Sequence, residues 1–183
     1  MRAVRTFLVV GLLALAAWAP SRAAERVDLL LVLAADISRS VEHGIAGPVI
    51  ISGWSAGGHL TAFLLDHRKG GGGLAISGVL ELAPLRDSPH VNDNVKLTEV
   101  EIKTLSPMRL PGVNKPLAVT YGTGELPAMI DSSRDFHAYR GRSHLPGPLI
   151  PVVMANHFTI LEELRRPNGI LTRAVLDLPE QSA

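Results

Sequence analysis

Four stretches of the chain are apolar without the three-to-four-residue rhythm of a surface helix. They are Pro48-Val49-Ile50-Ile51-Ser52, Leu74-Ala75-Ile76-Ser77-Gly78-Val79-Leu80, Pro116-Leu117-Ala118-Val119-Thr120-Tyr121 and Pro148 to Met154. Short continuous runs of this kind predict strands buried on both faces of a sheet. Helix-like segments alternate with them: Leu60 to His67, Ala128 to Tyr139 with Met129, Ile130, Phe136 and Tyr139 on its apolar side, and, past the fourth run, Phe158 to Arg165 and Gly169 to Leu178. The alternation predicts an α/β fold, with a mostly parallel sheet of about four to five strands and flanking helices. Lys69 to Gly73 reads as a flexible glycine connection, and no Gly-Lys-Ser/Thr follows to make it a phosphate cradle. Glu81 to Pro111, punctuated by Pro84, Pro89, Pro107 and Pro111, predicts short helices making an excursion over the sheet edge.

The first 46 residues have a different character. Arg2 and Arg5 precede an uncharged apolar stretch from Phe7 to Trp18, and small residues near Ala23 and Ala24 offer a cleavage site. Residues 1–24 therefore read as a signal peptide. The expected location is periplasmic or secreted, or cytoplasmic if the signal is not functional, with no stable membrane span after cleavage. Val27 to Ala35 is a further apolar run ending in Asp36-Ile37-Ser38-Arg39-Ser40. Residues 25–46 resemble the start of a von Willebrand factor A-like domain, whose adhesion site would use Asp36, Ser38 and Ser40 as hard oxygen ligands for a divalent ion. The threonine and second aspartate of a complete site are absent. The simpler reading makes Asp36 or Ser38 a turn cap, and no metal is assigned.

Composition narrows the possibilities. The chain has 183 residues, 46% hydrophobic and 19% charged, which suits one globular domain. A net charge of +1 without a basic stripe argues against nucleic acid as a partner. The absence of cysteine excludes a thiolate nucleophile and a disulfide scaffold.

Candidate chemistry centres on Gly53-Trp54-Ser55-Ala56-Gly57-Gly58-His59-Leu60. A strand, a serine between glycines and then a helix is the setting of a nucleophile elbow. The amide of Ala56 would face a developing oxyanion. Ser55, Glu125 and His157 each stand just past the carboxyl end of a predicted strand, the edge where open α/β sheets form their sites. Their chain order is nucleophile, acid, base. A serine hydroxyl needs a base to attack a carbonyl, which gives His157 the proton-transfer role, and Glu125 would orient and stabilise the imidazole. Trp54 would line the substrate pocket. His59, one turn along the elbow helix, reads as a structural hydrogen-bond donor, and Asp131 is the reserve acid.

Several motifs in register resemble the kynurenine formamidase (arylformamidase) and esterase group of α/β-hydrolases. They are the elbow octapeptide, Ser77-Gly78, Leu105-Ser106-Pro107, Tyr121-Gly122 through Glu125-Leu126-Pro127, and Asn156-His157-Phe158-Thr159-Ile160-Leu161. The resemblance covers residues 47–183 and corresponds to the C-terminal half of that family. It implies a cofactor-free serine hydrolase acting on a small ester or arylformamide. Glu125 stands where an aspartate is common. The family's His-Gly-Gly-type loop, which supplies a second oxyanion amide, has no counterpart in residues 25–46, so impaired activity is expected. Val27 to Ala35 is expected to substitute for missing strands by pairing in parallel with the elbow strand. The alternative function is a non-catalytic exported fragment or a divalent-metal-binding module. Neither reading specifies an oligomeric state.

Overall fold

The computed structural model describes residues 32–36, 49–68 and 70–178. The signal-peptide reading of residues 1–24 lies outside them, as do Ser38 and Ser40.

Five strands lie side by side in chain order: β1 Val32–Asp36, β2 Val49–Trp54, β3 Gly70–Ile76, β4 Leu117–Gly122 and β5 Leu149–Val152. β2 through β5 are parallel. Each crossover therefore runs over a face of the sheet, and the carboxyl ends of β2 to β5 collect on one rim. The interior strand β4 is buried along its whole length.

β1 corrects the expected parallel pairing, because it runs antiparallel to β2, with Val32 opposite Gly53 and Asp36 opposite Val49. Antiparallel neighbours need only a short connection, whereas a parallel neighbour must be reached by a crossover of a dozen or more residues. The glycine run is a second correction. Gly70 to Gly73 belong to β3 and not to a flexible link. Pairing of Gly70, Gly72 and Gly73 with β2, and of Gly73 with β4 as well, supplies what glycine lacks in strand propensity. The register shifts between Val49 and Ile50, which face Gly70 and Gly72, so one extra residue of β3 is accommodated there.

The helices are α1 Ala56–Phe63, α2 Ala83–Arg86, α3 Pro89–Val95, α4 Glu99–Leu105, α5 Pro127–Arg142 and α6 Ile170–Asp177, with a 3-10 segment at Thr159–Arg165. α2 to α4 form the proline-marked excursion. Thr98 and Glu101 close a capping box at the start of α4. At its end the Ser106 hydroxyl donates to the Ile102 carbonyl at 2.6 Å and accepts from the Leu82 amide at 3.1 Å.

Strand alternation divides the core between two layers. Ile50, Leu74, Ile76 and Ala118 face Ile160, Leu171, Ala174 and Leu178. Ala75, Leu117 and Val119 face Ala62, Leu65 and Phe136. In α5 the inward positions include Arg140 as well as Phe136. Its guanidinium donates to the carbonyls of Lys115 at 2.8 Å, Pro146 at 2.9 Å and Val113 at 3.4 Å. Burial brings its pKa down to about 10, and it remains charged at neutral pH.

Candidate active site

β2 ends at Trp54 and α1 begins at Ala56, so the single residue Ser55 turns strand into helix. Its φ is 57° and its ψ −118°, a left-handed conformation that costs a side chain about 1–3 kcal/mol. Neighbouring bonds impose it: the Ser55 amide donates to the Ile76 carbonyl at 2.9 Å, and its carbonyl accepts from the His59 amide at 3.1 Å. The turn is so tight that a Cβ on Gly53 would lie 2.2 Å from the Gly57 carbonyl oxygen. The glycine on the strand side of the serine is thus required by space.

His157 follows β5, three strands away from β2. At about 4.8 Å per strand that is roughly 14 Å, and the segment after β5 has to cross the rim to reach the serine. Trp54 holds its far end. The indole Nε1 donates to the His157 carbonyl at 2.7 Å, and the two ring centroids are 4.8 Å apart. Asn156 fixes the backbone on both sides, its Oδ1 accepting from the Phe158 and Thr159 amides at 2.9 Å each. His157 Nε2 then stands 3.1 Å from Ser55 Oγ. That is within hydrogen-bond reach of the proton a base would remove.

Glu125 lies behind the imidazole. The turn after β4 is pressed against the segment after β5: Gly124 N donates to the Ala155 carbonyl at 2.8 Å, and Met154 N donates to Thr123 Oγ1 at 2.9 Å. A Cβ on Gly122 would sit 2.3 Å from the Ala155 oxygen, so only glycine permits this approach. Glu125 Oε1 accepts from the Ser77 hydroxyl at 2.5 Å and from the Gly122 amide at 3.0 Å. Oε2 is 3.8 Å from His157 Nδ1, beyond the roughly 3.2 Å limit of a hydrogen bond. Both atoms are buried and have no other hydrogen-bond partner, so a small closure satisfies the two together. Burial pushes the Glu125 carboxyl up. The imidazole, the Ser77 hydroxyl and the Gly122 amide outweigh it and hold the group below the ordinary 4.5. Glu125 is ionised at neutral pH.

Ala56 opens α1 beside the serine. Amides in the first turn of a helix lack an intrahelical acceptor and sit at its positive end. Trp54 is buried and underlies His157. His59 Nδ1 pairs with the Val79 carbonyl at 2.7 Å, and burial keeps its pKa low, so the ring is neutral and donates there. Asp131 is exposed on α5, whereas Glu125 occupies the place behind the imidazole. Among the described residues no three His, Asp or Glu side chains converge as metal ligands would. Two residues were not singled out for the site from the sequence. Ser77 holds Glu125, and its φ of 48° at the end of β3 turns it toward the rim. Asn156 sets the backbone of His157. Ser77-Gly78 just past a strand was the available signal for the first, and Asn two residues before a helical run for the second.

A parallel sheet with helices on both faces and these side chains on its carboxyl rim has the architecture of an α/β-hydrolase. Solved α/β-hydrolases share it. A candidate thioesterase from a Silicibacter species superposes with a TM-score of 0.60 at 26% identity, over 72% of this chain and 52% of that one. An esterase/lipase from an uncultured bacterium does so with a TM-score of 0.57 at 18% identity, over 73% and 53%. In sequence, the chain is 26% identical over 142 residues to the kynurenine formamidase of Danio rerio, covering 70% of this chain. It spans 48% of the length of that formamidase. No family model matches.

Proposed function

We propose that the protein is a serine hydrolase that cleaves a carboxylic ester or arylformamide through an acyl-serine intermediate. The carrying observation is the 3.1 Å approach of His157 Nε2 to Ser55 Oγ at a left-handed strand-to-helix turn. Nε2 accepts the hydroxyl proton while Oγ bonds to the carbonyl carbon. The oxyanion that forms is met by the Ala56 amide at the positive end of α1. Collapse breaks the bond to the leaving alcohol or amine, which takes the proton from the imidazolium. Water then repeats the sequence, releasing the acid and restoring Ser55. Glu125 keeps Nδ1 protonated and steadies the transient charge. No cofactor enters these steps. The similarity to a formamidase in sequence and to esterases in fold supports the choice of scissile bond.

Labelling of the full chain by a fluorophosphonate tests the reading. Modification is expected at Ser55, absent in Ser55→Ala and strongly reduced in His157→Ala. Mass spectrometry locates the adduct, and an unmodified Ser55 in folded protein would remove the mechanism.

A further inference from the structure

Among the described residues, four segments at the carboxyl ends of β2 to β5 reach the rim around Ser55: residues 54–58, 77–80, 122–126 and 153–158. They contain no Lys, Arg or Asp, and their titratable groups are Glu125 and His157. Those two face each other, Glu125 buried behind the imidazole with its other oxygen taken by Ser77 and Gly122. A substrate carboxylate or phosphate would find no side-chain cation on these segments, and a substrate ammonium would find no available carboxylate. Burying either charge unpaired is strongly unfavourable.

The same segments present large apolar groups to solvent. Phe158 is 71% exposed, Leu126 75%, Val153 76% and Met154 87%. Single exposed apolar residues are ordinary, but here four are gathered on the two adjoining loops that carry the acid and the base. Phe158 is the member tied to the chemistry. Its ring centroid lies 5.5 Å from that of His157 and 5.7 Å from that of Trp54. Trp54 is buried beneath, so Phe158 forms the exposed wall of this aromatic group.

Resting on the hydrolase reading above, we propose that Phe158 is a specificity-determining residue and that the group it receives is neutral and apolar, an aryl or medium-chain acyl moiety. The four segments, which offer neither a cation nor a free carboxylate, disfavour substrates that carry a carboxylate or an ammonium next to the scissile bond.

The experiment uses the full chain and p-nitrophenyl esters, which share one leaving group. With about 1–3 kcal/mol available from an apolar contact, the phenylacetate and butyrate esters should exceed the succinate and β-alanine esters at least ~10-fold in kcat/KM. Phe158→Ala should lower kcat/KM about 10-fold for phenylacetate, mainly through KM, and less than ~3-fold for acetate, with Phe158→Leu recovering part of the loss. Equal turnover of the anionic or cationic ester overturns the proposal. So does a Phe158→Ala chain whose oligomeric state changes while its ester preference does not, since these side chains would then form an interface between copies. Binding to the Ser55→Ala variant, followed by tryptophan emission, separates this proposal from the hydrolase reading. 2-Phenylacetamide should bind saturably and phenylsuccinate should not. That pattern in a chain that hydrolyses nothing would leave the pocket assignment standing and remove the catalytic one, and the reverse preference would remove the pocket assignment.

Discussion

Ser55 concentrates the physical compromise in this protein. A left-handed serine is disfavoured by itself and is held by two backbone hydrogen bonds and by the contact between Gly53 and Gly57. Glu125 shows the opposite arrangement, a charge moved out of water and stabilised by two hydrogen-bond donors and the imidazole behind which it lies. Replacing it by Gln leaves the imidazole without an anion, and a loss of about 10²–10⁴ in the rate of Ser55 acylation is expected, read from labelling kinetics. The sign of the pH effect follows from its lowered pKa. The stabilising contribution is present above the unfolded value and disappears as pH falls through the lower folded value. Urea midpoints of the wild type and Glu125→Gln should therefore differ at pH 6, and the difference should narrow as pH falls below the ordinary 4.5. A gap unchanged down to pH 3 would contradict the ionised assignment. At this scale the sequence was informative where a residue type is forced. Ser55 between glycines and His157 after a strand were visible as candidates, and their atoms meet. Ser77 was given no role in the site, since the Ser77-Gly78 motif marks the position but says nothing of which side chain the hydroxyl holds.

Elements were legible where apolar runs are unbroken and obscure where pairing overrides propensity. The centres of β2, β4 and β5 follow from their apolar residues. β3 was misplaced toward its carboxyl end because four glycines look like a linker until β2 pairs along them. The direction of β1 was missed for a related reason, since a buried apolar run carries no mark of its orientation. The inward face of α5 contained a further surprise in Arg140, whose charge satisfies three carbonyls from two loops. Arg140→Met should strand those carbonyls and cost at least about 3 kcal/mol in unfolding free energy. Arg140→Lys should recover only part, because an ammonium lacks the planar fork that spans them. A Met variant as stable as wild type in urea titration would show that water takes over these bonds.

For the whole molecule, chain order and strand alternation conveyed most of the architecture. Short connections and parallel crossovers leave few arrangements open. The two-layer packing makes a quantitative expectation. Leu171 and Leu117 are both fully buried but belong to core clusters on opposite faces of the sheet. Each change to Ala should cost about 2–5 kcal/mol. The double variant should lose their sum to within about 0.5 kcal/mol, because the sites share no contacts. A clear departure from additivity in denaturant titrations would mean that the sheet transmits repacking from one face to the other.

The bonds that join Gly124 to Ala155 and Met154 to Thr123 bear on how the molecule breathes. They rivet the two turns that bear the carboxylate and the imidazole into one plate, whereas the serine rides on a separate strand. A displacement of either turn is therefore shared by the other. Acid and base are thereby anchored to one another through their backbones, and the indole of Trp54, next to Ser55 in the chain, is the tie that fastens both to the strand of the nucleophile.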